Sequence, residues 1–124
     1  PPVHVVRGMK ITLWLLVYET ANEMHADTEL WHVQRTTGAL PDGRDGVVLF
    51  PHEDSPDDGP MAEVRRRYMD ADGEWHVELS RMVLDRQGPI PTQTSAYTNG
   101  QVWMRWHEPA EQLFEGLRQA GWVR

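Results

Sequence analysis

Residues 61–85, MAEVRRRYMDADGEWHVELSRMVLD, read as two strands joined by a tight turn at Asp72-Gly73. Glycine tolerates the positive φ that such a turn needs. Side chains alternate across a strand. After the turn, Trp75, Val77, Leu79 and Val83 therefore share one face, and Glu74, His76, Glu78 and Ser80 share the other. Before it, Ala62, Val64 and Tyr68 share a face with Arg66 among them, while Glu63, Arg65 and Arg67 lie opposite. An even loop keeps Tyr68 and Val64 with Trp75 and Leu79, and sets Arg65 and Arg67 beside Glu78 and His76. An odd loop mixes the two faces, so the even loop is expected. Cross-strand pairs contribute roughly 0.2–1 kcal/mol each. That is too little for an isolated hairpin, so its apolar face must pack on another element.

Working outward, residues 9–19 form the strongest strand. Ile11, Leu13, Leu15 and Val17 alternate with Trp14, Leu16 and Tyr18. Apolar residues on both faces indicate an interior strand covered on both sides. Residues 20–27 read as a short helical or irregular stretch opened by the capping pattern Thr20-x-x-Glu23. A strand follows from about Glu29 to Thr36, then a loop over 38–46 and a short strand from Val47 to Phe50. Residues 51–60, PHEDSPDDGP, are an acidic, proline-rich connector. A second hairpin is expected over Thr92–Trp106, turning at Asn99-Gly100.

The last element is a helix. Pro109 suits its first turn, Ala110, Leu113, Phe114, Leu117 and Ala120 recur at helical spacing, and Gly121 is placed to close it. Trp122 and Val123 can then fold back onto the sheet. The sum is an α+β fold: a mainly antiparallel sheet of about five to seven strands with one C-terminal helix packed on it. Residues 9–124 are expected to form a single domain, and residues 1–8 an N-terminal arm or cloning remnant.

Composition narrows the function classes. The 124 residues include no cysteine, which excludes disulfides, thiolate metal sites and a cysteine nucleophile. No apolar run approaches the roughly 20 residues of a membrane span, and no signal peptide is evident. A cytoplasmic protein without membrane attachment is expected. The formal charge of −7 argues against nucleic acid as a partner. Lys10 is the only lysine among 12 basic residues, a bias that fits a GC-rich bacterium or its phage.

No phosphate loop, nucleophile elbow or ordered calcium-loop spacing is present. The pair Trp-His occurs at 31–32, 75–76 and 106–107. His32, His76 and His107 are expected to face solvent while their tryptophans face the core; no metal or cofactor is expected. Arg66 and Arg81 fall on the apolar face of the hairpin, where a buried charge needs a partner. Six tryptophans exceed what one small core readily buries, so Trp103 or Trp122, near Arg105, is expected at the surface. Tryptophan, tyrosine and arginine dominate protein interfaces. The expected function is a small non-enzymatic protein-interaction module, binding a protein partner or self-associating through a sheet edge. The alternative is a small-molecule-binding or enzymatic domain. Its Trp-lined pocket would lie between sheet and helix, with His76 or His107 beside Arg66 or Arg81.

Overall fold

A computed structural model describes residues 8–18, 28–51, 59–84, 103–106 and 109–124. The strands are β1 (Met9–Tyr18), β2 (Thr28–Thr37), β3 (Gly46–Val48), β4 (Met61–Met69), β5 (Trp75–Leu79), β6 (Arg81–Leu84) and β7 (Trp103–Trp106). Among the described residues one helix, α1 (Ala110–Gln119), follows. The fold is therefore sheet-dominated α+β with a C-terminal helix. The expected helical stretch at 20–27, the acidic connector over 52–58 and the Asn99-Gly100 turn lie outside the described residues. Among the described residues, no helix is long and apolar enough to cross a membrane.

The sheet is mixed: antiparallel pairing predominates, largely as expected, and parallel pairs join it. β1 is its axis. On one side β2 pairs antiparallel along ten residue pairs, from Met9–Thr37 to Tyr18–Thr28. On the other side β5 and then β6 run parallel to β1. β4 pairs antiparallel with both β5 and β3, while β7 runs parallel to β6. The parallel pairs arise because the β4–β5 hairpin returns β5 in the direction of β1. Only Ser80 separates β5 from β6. Its N–H donates to the Glu63 carbonyl at 2.7 Å, and its hydroxyl accepts the Glu63 N–H at 3.0 Å. This buried serine marks where β4 ceases to flank the strand and β7 takes over.

The helix buries Leu113, Phe114 and Leu117, the spacing its sequence prescribes. Pro109 sits just ahead of the first turn, at φ −54° and ψ 138°. The helix closes as a Schellman motif: the Gly121 N–H donates to Arg118 O at 3.0 Å and the Trp122 N–H to Leu117 O at 2.9 Å. Gly121 adopts φ +91°, a conformation that disfavours side chains. The chain then returns to the sheet, where Val123 exchanges two backbone hydrogen bonds with His32 at 2.8 and 3.0 Å.

The core lies between α1 and the face of the sheet carrying Leu13, Leu15, Val33, Val64, Val77 and Leu79. The sheet curls around it and brings β2 against the end of β3. Arg35 of β2 donates from Nη1 to Val48 O and from Nη2 to Leu49 O, both at 2.7 Å. The Trp122 indole N–H donates to the same Leu49 carbonyl at 2.8 Å. Partial burial lowers the Arg35 pKa below the usual arginine value. The expectation that Trp122 reaches the surface fails: it is 1 % exposed. Its indole N–H has a buried acceptor, which removes the usual penalty for burying that group.

Two substitutions test this packing. Arg35→Ala removes two charge-assisted hydrogen bonds and should lower unfolding free energy by about 2–3 kcal/mol in urea titrations. Gly116→Ala ordinarily favours a helix by about 1 kcal/mol. Here an added Cβ meets the Phe50 ring at 2.5 Å, so the thermal midpoint should fall.

Candidate binding site

The site is on the sheet face opposite α1, and a change of phase in β4 creates it. Tyr68 pairs with His76 and Met69 with Trp75, so the loop between the strands has an odd number of residues. The even loop read from sequence is incorrect. Asp70 and Gly73 explain the outcome. The Asp70 Oδ1 accepts the N–H groups of Asp72 and Glu74 at 2.9 and 3.0 Å, and the Gly73 N–H donates to Asp70 O at 3.1 Å. Gly73, at φ +83°, completes a three-residue loop closed by Asp70 and Glu74. A β-bulge between Val64 and Arg66 then restores the core register. Ala62 and Val64 face the core, whereas Arg66 and Tyr68 face outward beside Glu78 and His76.

Arg66 therefore escapes the buried position expected for it. Its Nε and Nη2 donate to Glu78 at 2.9 and 3.0 Å, and its guanidinium lies 4.9 Å from the Tyr68 ring centre. The Glu78 hydrogen bond raises the Arg66 pKa. Arg65 and Arg67 do not pair with Glu78. Arg67 reaches Asp42 and the Pro41 carbonyl instead.

Four adjacent strands each contribute one ring to this face. Tyr68 of β4 stacks on His76 of β5 at 5.0 Å and 14°. His76 stacks on Trp14 of β1 at 6.1 Å, and Trp14 meets His32 of β2 at 5.0 Å. Neighbouring strands lie about 4.8 Å apart, so side chains in register stack at this spacing. Beside the row is a cavity of about 270 Å³. Trp14, Leu16, Leu30 and Tyr68 give it apolar walls, and Arg65 and Glu78 add charge. Leu30 is 46 % exposed and Tyr68 36 %. The second face of β1 is thus half open, not covered as its apolar pattern implied.

His76 is held at both nitrogens. The Trp14 indole N–H donates to Nδ1 at 3.0 Å. An indole nitrogen only donates, so the ring proton must sit on Nε2, which donates to Asp70 Oδ2 at 2.7 Å. The His76 bond lowers the Asp70 pKa most, followed by the Glu74 backbone N–H. Asp70, Glu74 and His76 bring three ligand atoms within 4.8 Å of one another. A metal on Nε2 would force the ring proton to Nδ1, against the Trp14 N–H, so this donor set does not fit a cation. The same two bonds leave His76 no free lone pair for general-base work.

The other sequence candidates lie elsewhere. Arg81 is half-buried, 5.5 Å from the Tyr18 ring, and away from the cavity. Trp122 is in the core. Trp103 and Arg105 pair through their backbones with Arg81 and Val83. Their side chains, and all of His107, lie outside the described residues. Sequence reasoning missed Trp14 and Tyr68 as site residues. The available signal was the alternate apolar face of β1, which carries more aromatic surface than a lone sheet needs.

Folding lowers the Asp70 pKa, so its carboxylate stabilises the fold above the unfolded value of about 3.9. That contribution is lost as pH falls through the lowered folded value. The urea midpoint of the native chain should therefore fall more steeply below pH 4 than that of Asp70→Asn. Comparison with known proteins found no matching family model, curated protein or solved structure.

Proposed function

We propose that this chain is a small non-enzymatic protein-interaction module that docks a partner through the open sheet face around Trp14. The observation carrying this reading is the pairing of a half-exposed aromatic row with a cavity of about 270 Å³. Ligand pockets commonly enclose about 300–1,000 Å³. A smaller, open depression suits one large side chain projecting from a partner. Rings fixed by four strands lose little freedom on binding, which favours affinity. Interface energy concentrates in such aromatic and arginine clusters.

The alternative placed a ligand pocket between sheet and helix. Leu13, Leu15, Leu113, Phe114 and Leu117 are buried together there, which supports the docking reading instead. Val123 holds part of the outer edge of β2, which favours the face over that edge as the contact surface.

A photo-crosslinking residue provides the test. p-Benzoylphenylalanine at position 30, within the full chain in lysate of the producing cells, should capture one discrete partner. Tyr68→Ala in the same chain should lower the yield by about tenfold. Equal capture from position 112, on the exposed side of α1, would count against this face.

A further inference from the structure

The three consecutive arginines of β4 have different fates. Arg66 is bound to Glu78 and Arg67 to Asp42 and Pro41. Arg65 lines the cavity, yet among the described residues it has no hydrogen-bond, ion-pair or ring partner. It also occupies the bulge, the residue set apart when Val64 turns to the core and Arg66 to the open face. Bulges commonly re-aim a side chain beside a functional site. Glu78 lines the same cavity, but its ion pair is with Arg66 and not with Arg65. An unpaired guanidinium thus stands beside apolar walls on a chain of net charge −7.

We infer that the cavity recognises a peptide segment in which a large apolar side chain stands next to a carboxylate. The apolar group lies against Trp14, Leu16, Leu30 and Tyr68, and the carboxylate meets Arg65. Guanidinium geometry suits a carboxylate through two parallel hydrogen bonds. The inference rests on the docking reading above and adds the chemistry of the partner. Because Arg65 is exposed, the charge contributes selectivity more than affinity.

The test titrates the full ¹⁵N-labelled chain with three probes: acetyl-Trp-Asp-amide, acetyl-Trp-Asn-amide and acetyl-Gly-Asp-amide. The Trp14 indole N–H resonance reports the site, and that of buried Trp122 reports the fold. Both tryptophan peptides should shift Trp14 saturably, the aspartate peptide binding about two- to fivefold tighter. Acetyl-Gly-Asp-amide should not saturate. Arg65→Gln should abolish the difference between the tryptophan peptides while leaving the Trp122 resonance unchanged. Equal affinities in the native chain, or a difference that survives Arg65→Gln, would overturn the carboxylate inference and leave the docking surface standing. No saturable shift with either tryptophan peptide would overturn both.

Discussion

The carbonyl of Leu49 accepts from two side chains that arrive from opposite directions, Arg35 Nη2 and Trp122 Nε1. This junction closes the curled sheet. β2 pairs with β1 and β3 with β4, and no ladder joins β2 to β3 among the described residues. A guanidinium and an indole do so instead. Trp122 leaves water entirely and Arg35 in part, and both remain hydrogen-bonded, which is the condition for burying polar atoms at tolerable cost. The closure encloses the helix-facing core. It also depends on the Schellman turn, which aims Trp122 inward immediately after α1. The C-terminal region is stitched further by Arg124, which pairs with Glu29 at 3.2 Å and lies 4.8 Å from the Trp31 ring.

The opposite face follows from a second constraint, one of parity. An odd hairpin loop alone would expose Val64 or bury Tyr68. A bulge alone would do the same. Together they cancel over the length of β4. Its first half serves the core and its second half serves the open face. Trp14 and Asp70 then lock the His76 ring in one tautomer and one orientation. The aromatic row is therefore held by hydrogen bonds as well as by stacking.

The local features were legible in the sequence. Helical spacing located α1, Gly121 located its end, and the apolar pattern of residues 9–19 located the central strand. The strand expected at about 29–36 is β2. What could not be read are features that exist only in space. The bulge has no residue signature, and an odd loop conflicts with an alternation that only the bulge repairs. Arg35 looks in sequence like any exposed arginine. Its role depends on β3 curling back toward β2. Tryptophan number alone suggested exposure for Trp122, because the count says nothing about which indole N–H finds a buried acceptor. The site suffered for the same reason. Arg66 and His76 were singled out, but Trp14, Tyr68 and Arg65 join them only when four strands come into register.

The bridge between Val123 and His32 has a consequence for colloidal behaviour. An outermost strand with unsatisfied amides invites copies of the same chain to add on, and such growth leads toward fibrils. Among the described residues, Val123 occupies the middle of the outer margin of β2 and divides it into two short stretches. Lateral growth from β2 therefore has to displace the tail first, a kinetic obstacle to assembly.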